Sequence, residues 1–67
     1  MTTALVNGER RELPQHSTLD AVVRTLTERP TGVAAALNGD VVPRHEWPAT
    51  QIADGDEVEV LTAVQGG

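Results

Sequence analysis

Hydrophobic and polar residues alternate most regularly near the carboxyl end of the chain, where Glu57, Val58, Glu59 and Val60 lead into Leu61. A period of two residues is typical of a strand with one covered face. The pattern predicts that the two valines point inward. The two glutamates and Leu61 are then predicted to point outward.

The beginning of the chain has the pattern of a β-hairpin. Two short strand candidates, Ala4–Val6 and Arg10–Leu13, flank the pair Asn7-Gly8. Asn-Gly is favoured in the tight type I′ turn that joins antiparallel strands. Pro14 lacks a backbone N–H and is predicted to end the second strand.

The next segment has the spacing of an amphipathic helix. Its apolar residues recur at i, i+3, i+4 and i+7: Leu19, Val22, Val23 and Leu26. Ser17, three residues before Asp20, fits a helix N-cap followed by an acidic side chain near the positive end of the helix dipole. We predict a helix that runs to about Glu28 and is terminated by Pro30 and Gly32.

After the helix, Val33–Leu37 is predicted to be a buried strand of small residues. A turn at Asn38–Asp40 follows, and Val41–Val42 is a short strand that Pro43 stops.

The segment Arg44–Ala53 has no sustained period and is predicted to be irregular. Its one tryptophan, Trp47, is expected to cover the open end of the core. Asp54–Asp56 is predicted to be a turn.

These elements predict an α+β fold in which one helix lies across a small mixed sheet. The first and last strands are expected to be parallel neighbours at the centre. A chain of 67 residues has room for one domain. We expect a globular body over residues 1–63 and a flexible carboxyl-terminal tail over residues 64–67.

Charge narrows the range of partners. Ten acidic residues against five basic ones give a net charge of -5, which disfavours nucleic acid and anionic membrane surfaces. The amino-terminal residues resemble neither a signal peptide nor a membrane span, so a cytoplasmic location is expected.

Residues that could support catalysis are scarce. The chain has no Cys, Lys or Tyr and one Ser, which is already assigned to the helix cap. His16 and His45 are expected to be solvated surface residues, and neither they nor the carboxylates have a metal-ligand spacing. We predict a protein that is not an enzyme, with no catalytic residue and no metal site.

The end of the chain offers a different chemistry, because Gly66 and Gly67 leave the terminal carboxylate unobstructed. A carboxylate resists substitution until a partner activates it, most plausibly as an acyl-adenylate formed from ATP. Extended residues from Val64 to Gly67 would reach about 13 Å into a partner's cleft.

The sequence resembles the ubiquitin-like sulfur carrier proteins of thiamine biosynthesis, the ThiS family, over nearly its whole length. The motifs that carry the resemblance are the ALNG turn with Val42-Pro43-Arg44, the pair Glu46-Trp47, the turn Asp54-Gly55-Asp56 and the terminal Gly66-Gly67.

That resemblance implies a β-grasp fold and a carrier on which other proteins act. A ThiF-like adenylating enzyme would use ATP to activate Gly67. A cysteine desulfurase or an equivalent donor would supply sulfur to form a thiocarboxylate, and thiazole synthase would accept it. No cofactor would be bound by the carrier itself. The implied partner contacts are Gly66, Gln65, Val64, Leu61 and Leu5, with Gln65 standing where the family often has a smaller residue.

Three alternatives remain open from the residues. The same chemistry could supply molybdopterin or cysteine synthesis. The chain could be a ubiquitin-like modifier that forms isopeptide bonds with lysines of target proteins. It could also be a non-covalent binding module whose tail takes no part.

Overall fold

The computed structural model describes residues 1–27 and 32–62. Its elements in chain order are β1 (Thr2–Val6), β2 (Glu9–Leu13), α1 (Leu19–Leu26), β3 (Val33–Leu37), β4 (Asp40–Val42), a 3-10 helix (Arg44–Ala49) and β5 (Glu57–Thr62).

All five strands form one mixed sheet in the order β2-β1-β5-β3-β4. The first and last strands, β1 and β5, are parallel neighbours at its centre, as predicted. The other pairings are antiparallel. The first and last strands of the described residues therefore lie in the middle of the sheet.

Two Asn-Gly turns build the two hairpins. Asn7 and Gly8 have φ of 52° and 83°, and Asn38 and Gly39 have φ of 52° and 88°. Positive φ at both central residues is the requirement of a type I′ turn, which Asn tolerates and Gly adopts without steric penalty. The two predicted turns are thus confirmed, and the second one joins β3 to β4.

The helix begins one residue later than predicted. Thr18, not Ser17, is the N-cap, and its Oγ1 accepts a hydrogen bond from the Ala21 amide at 3.2 Å. The Ser17 hydroxyl instead donates to the carbonyl of Pro14 at 2.6 Å. Helix α1 ends at Leu26, short of the predicted end at Glu28, and Glu28 and Pro30 lie outside the described residues.

Tertiary hydrogen bonds explain this shift of the cap. The Leu19 amide donates to the carbonyl of Thr50 at 2.8 Å, and the Ile52 amide donates to the carbonyl of Ser17 at 2.8 Å. Thr18 forms an antiparallel bridge with Gln51 between these bonds. The loop after the 3-10 helix therefore holds Thr18 in the extended conformation that an N-cap needs.

The core lies between α1 and one face of the sheet. It is formed by ten buried side chains: Ala4, Val6, Leu19, Val22, Val23, Ala35, Trp47, Ile52, Val58 and Val60. The inward positions predicted for Val58 and Val60 are confirmed, as is the apolar stripe of the helix.

Strand β3 is buried on one face only, which corrects the prediction of a buried strand. Ala35 is 2% exposed, whereas Ala34 is exposed and Ala36 is half-buried. Because α1 covers one face of the sheet, alternate residues of β3 project to the uncovered face. Small side chains on that face therefore line a surface and do not fill the core.

The segment predicted to be irregular contains the 3-10 helix, Arg44–Ala49, which Pro43 precedes. Trp47 on this helix is 1% exposed, and its indole N–H donates to the carbonyl of Val42 at 2.9 Å. This confirms the expected covering of the core by Trp47. No helix within residues 1–27 and 32–62 has the length and hydrophobicity to cross a lipid bilayer.

Candidate functional site at the end of the central strand

The candidate site is the uncovered face of β5 together with the chain that leaves it. Four of the predicted site residues, Val64, Gln65, Gly66 and Gly67, lie outside the described residues. Leu61 and Leu5 lie within them, on the central strands β5 and β1.

Leu61 points away from the core, as the alternation predicts. Its neighbour Val60 is 6% exposed, whereas Leu61 is 68% exposed. Leu61 lies directly opposite Ala34 of β3, and opposite residues of an antiparallel pair share a face. In the sequence, this exposed leucine stands six residues before the terminal Gly67.

Leu5 also lies on the uncovered face, and it is 37% exposed. Its partner in the register of β1 and β5 is Glu57. Since Leu61 is four residues further along β5, the two leucines are separated by about 13 Å along the strand direction. Glu57 and Glu59 project from the same face between them, so the structure does not join Leu5 and Leu61 into one apolar patch.

One exposed apolar side chain on the uncovered face was missed by the sequence analysis. Val41 on the edge strand β4 is 75% exposed. It lies opposite Ala36, which in turn lies opposite Glu59. Sequence alternation alone gave no sign of Val41, because β4 has only three residues, and only its pairing with β3 reveals the face to which Val41 belongs.

The two Asn-Gly turns secure β5 from both sides. On the β1 side, the Asn7 amide donates to the carbonyl of Val58 at 2.8 Å, and Asn7 Oδ1 accepts from the Val60 amide at 2.8 Å. On the β3 side, the Asn38 amide donates to the carbonyl of Glu57 and Asn38 Oδ1 accepts from the Glu57 amide. Each asparagine thus extends the hydrogen bonding of β5 beyond the end of a neighbouring strand.

The turn at Asp54–Asp56 anchors the start of β5. Asp54 Oδ1 accepts from the Thr3 amide at 2.7 Å. The carboxylate of Asp56 accepts from the Ala53 amide at 2.7 Å and from Asn38 Nδ2 at 3.1 Å. These acidic side chains are therefore engaged in holding β1, β3 and β5 together, which supports the prediction that the motif is a turn.

Two shallow grooves flank Leu5 on the uncovered face. One, of about 380 Å³, lies between the two Asn-Gly turns and has Glu57 and Glu59 in its lining. The other, of about 320 Å³, is lined by Arg10, Asp54 and Gly55 among others. Both open beside the same leucine, so a partner side chain could enter on either side of it.

The polar residues considered for catalysis are dispersed. Ser17 bonds to a backbone carbonyl, His16 is exposed at a turn with φ of 67°, and His45 lies 3.7 Å from Glu46 on the 3-10 helix. Within residues 1–27 and 32–62, no three His, Asp or Glu side chains are placed to hold a metal ion.

The fold, five mixed strands crossed by one helix with parallel first and last strands at the centre, is a β-grasp. The uncovered face of its two central strands carries the exposed side chains of Leu5 and Leu61.

Comparison with known proteins identifies the family. The family model described as the ThiS family matches residues 4–67. The chain is 39% identical over 62 residues to the sulfur carrier protein ThiS of Thermus thermophilus, covering 92% of this chain and 95% of that protein. The protein therefore belongs to the ThiS family, and it is a carrier and not an enzyme.

A solved structure and a longer protein add to this result. The crystal structure of the thiamine biosynthesis protein ThiS from Geobacter metallireducens matches with a TM-score of 0.81 at 29% identity, covering 98% of this chain and 100% of that one. A thiazole synthase of Paramagnetospirillum magneticum is 29% identical over 63 residues, covering 94% of this chain and 19% of that protein. A ThiS-like segment thus occurs within a thiazole synthase.

Proposed function

We propose that this protein carries sulfur for thiazole formation in thiamine biosynthesis as a thiocarboxylate on its terminal Gly67. The observation that carries the proposal is the extent of the ThiS family match, which runs through the tail to residue 67. A family match that stopped at β5 would support the fold and say nothing of the terminus.

The chemistry follows from the reactivity of a carboxylate. An adenylating enzyme of the ThiF type transfers AMP from ATP to the Gly67 carboxylate and releases pyrophosphate. The persulfide of a cysteine desulfurase, or an equivalent donor, then displaces AMP and forms an acyl disulfide. A thiol cleaves that disulfide, which leaves the thiocarboxylate on Gly67 and a new disulfide between the thiol and the donor. Glycine lacks a Cβ beside the reacting carbonyl, so attack at that carbon is unhindered.

In this scheme a folded body over residues 1–63 and a tail over residues 64–67 have different roles. The body presents Leu61 and Leu5 for recognition, while Val64, Gln65 and Gly66 form the narrow neck that enters the partner's active site. The side-chain oxygens of Asn7 and Asn38 accept hydrogen bonds from the Val60 and Glu57 amides, and these bonds fix β5 within the body. Because β5 is held in place, the tail would start from a defined position. A defined start favours insertion of the tail into the partner's active site.

Thiazole synthase is the proposed acceptor of the sulfur. Support comes from the ThiS-like segment in the Paramagnetospirillum magneticum synthase. Joining a sulfur carrier and a thiazole synthase in one chain is advantageous when the two act in succession. The carrier itself binds no cofactor in this scheme, and ATP is consumed by the adenylating enzyme. We place the whole cycle in the cytoplasm, where ATP is available.

Intact-mass spectrometry tests the proposal. The chain is incubated with its cognate adenylating enzyme, ATP and a sulfur source, and the expected product has the mass increase of one oxygen-to-sulfur replacement at the terminus. A variant with one alanine appended after Gly67 is the matched control, because its body is unchanged and its end is blocked. Conversion of the extended variant, or an unmodified wild-type chain with a competent enzyme, contradicts the proposal.

A further inference from the structure

Both hairpin turns contain the dipeptide Asn-Gly in almost the same sequence. The segments are Val6-Asn7-Gly8-Glu9 and Leu37-Asn38-Gly39-Asp40, each with an aliphatic residue before the pair and an acidic residue after it. The first and fourth residues of each segment are paired across the hairpin, so each turn has two residues. Both asparagines are exposed. Their sequence neighbours and turn type thus match, and the contacts of the two side chains differ.

An exposed asparagine followed by glycine can react with its own backbone. The glycine nitrogen loses its proton to hydroxide and attacks the asparagine Cγ, which forms a C–N bond and closes a succinimide ring. The Cγ–Nδ2 bond breaks, and the nitrogen takes up a proton from water and leaves as ammonia. Water then opens the ring at either carbonyl and gives aspartate or isoaspartate. Glycine favours this reaction because it has no side chain to hinder its nitrogen.

The side chain of Asn38 is used at both ends. Its Oδ1 accepts a hydrogen bond from the Glu57 amide at 2.9 Å, and its Nδ2 donates to Asp56 Oδ1 at 3.1 Å. Asp56 Oδ2 in turn accepts from the Ala53 amide at 2.7 Å, which fixes this carboxylate in its turn. Asn38 therefore joins the β3–β4 hairpin to the start of β5 by accepting one bond and donating another. An amide can do both, whereas a carboxylate only accepts.

The side chain of Asn7 is used only as an acceptor within residues 1–27 and 32–62. Its Oδ1 accepts from the Val60 amide at 2.8 Å, and its Nδ2 donates to no atom of that part of the chain. A carboxylate offers the same kind of oxygen. Conversion of Asn7 to aspartate therefore preserves the contact with β5.

Conversion of Asn38 to aspartate has the opposite effect. A carboxylate oxygen would stand in the place of Nδ2, which lies 3.1 Å from Asp56 Oδ1, so a hydrogen bond becomes a repulsion between like charges. Glu57 next to Asp56 and Asp40 in the turn add further negative charge. The isoaspartate product also lengthens the backbone of a two-residue turn, which the register of β3 and β4 does not accommodate.

We propose that Asn38-Gly39 is a site of spontaneous deamidation, and that loss of its side-chain amide loosens the start of β5 from the β3–β4 hairpin. Both hydrogen bonds of the Asn38 side chain are exposed, so water can replace them when the side chain turns toward Gly39. Deamidation of Asn7 to aspartate leaves the stability of the body unchanged. The modification affects the folded body, so it is independent of the function proposed for Gly67.

Aspartate variants reproduce the products of the reaction. Asn38→Asp should lower the folding equilibrium constant by about tenfold, because repulsion between like charges replaces a hydrogen bond. Asn7→Asp is the matched control, since it adds the same charge in the same type of turn, and it should stay within about twofold of wild type. Urea unfolding followed by the fluorescence of the buried Trp47 measures both constants. Equal stability of the two variants would overturn the proposal.

Reversal of the pair tests whether the contact with Asp56 is responsible. In the double variant Asn38→Asp, Asp56→Asn, the new amide can donate to the new carboxylate while its oxygen still accepts from the Ala53 amide. The net charge is that of wild type. This double variant should recover most of the stability that Asn38→Asp loses. A double variant no more stable than Asn38→Asp would contradict the role assigned to this contact.

Incubation of the wild-type chain tests whether the reaction occurs. The folded protein is kept in mildly alkaline buffer, and mass spectrometry follows the change from side-chain amide to carboxylate. Trypsin, which does not cut before proline, separates the two sites into peptides 1–10 and 25–44. Methylation by an isoaspartate methyltransferase distinguishes isoaspartate from aspartate. The expected result is modification of peptide 25–44 together with a less stable chain.

An unfolded sample in guanidinium chloride is the control for the chemistry. An Asn38 amide that survives in the folded protein under conditions in which the unfolded chain loses it would overturn the proposal. A folded chain that is modified at Asn38 and keeps its stability would overturn it as well.

Discussion

Replacing Asn7 by Ala should strongly destabilise the sheet, although the residue is exposed. Asn7 Oδ1 accepts a hydrogen bond from the Val60 amide at 2.8 Å, at a position where β1 has already turned away. The backbone of Asn7 also has φ of 52°. Alanine would leave the Val60 N–H without its partner and would itself be held in a left-handed conformation.

Both effects have known sizes. An unsatisfied donor in a partly buried position costs about 1–3 kcal/mol, and the left-handed conformation costs a residue with a Cβ about 1–2 kcal/mol. Asn7→Ala should therefore lower the free energy of unfolding by about 2–5 kcal/mol. The free energy of unfolding of a 67-residue chain is typically about 3–10 kcal/mol. The expected loss is therefore a large share of it.

Two further substitutions separate the contributions. Asn7→Gly removes the acceptor but suits the backbone, so it should lose only about 1–2 kcal/mol. Asn7→Asp keeps an acceptor and tolerates the left-handed region, so its free energy of unfolding should stay close to that of wild type. The expected order of stability is Asn and Asp, then Gly, then Ala.

Urea unfolding monitored by the fluorescence of Trp47 provides the assay, because Trp47 is the single tryptophan and is 1% exposed. Moderate salt screens the charge that Asp introduces near Glu57 and Glu59. A Gly variant as stable as wild type would show that the bond to Val60 contributes nothing. An Asp variant as unstable as Ala would refute the role assigned to the side-chain oxygen.

Three other tests address the core packing and the helix N-cap, with thermal unfolding followed by circular dichroism in each case. Thr18→Ala should lower the free energy of unfolding by about 1 kcal/mol, and Thr18→Ser should lower it much less, since only the serine can still accept from the Ala21 amide. Equal losses would contradict the assignment of Thr18 as N-cap. Val58→Ala should lower the free energy of unfolding by about 2 kcal/mol, whereas Glu59→Ala on the opposite face should lower it by less than about 0.5 kcal/mol. Similar losses would contradict the assignment of Val58 as inward and Glu59 as outward. Trp47→Phe should lose about 1–3 kcal/mol with the bond to Val42, and an unchanged melting temperature would show that this bond is unimportant.

The family assignment and the thiocarboxylate proposal both use the family match, but the proposal also depends on the chemistry of the terminal carboxylate. Membership of the ThiS family follows from the match over residues 4–67 and from the shared fold. The residue that would carry sulfur, Gly67, and its neighbour Gly66 lie outside the described residues. Their role is a matter of terminal chemistry, which only the mass measurement can test.

Local patterns predicted most of the elements because each depends on neighbours in the sequence. Asn7-Gly8 and Asn38-Gly39 determine type I′ turns through their own backbone preferences. The spacing from Leu19 to Leu26 determines a helix with one apolar face. The 3-10 helix was missed because a single short turn around Pro48 leaves no period to detect.

What the sequence by itself determined is therefore the set of strands, turns and helix, and the outward direction of Leu61. Only the tertiary structure decided that Thr18 caps the helix, because bonds from the loop at Thr50 and Ile52 fix that segment. It alone decided that Val41 lies in line with Ala36 and Glu59 on the uncovered face, and that Leu5 lies opposite Glu57, four residues before Leu61 along β5. The register between strands that are distant in the chain determines which side chains lie side by side. A one-residue change of register would move every side chain of a strand to the opposite face.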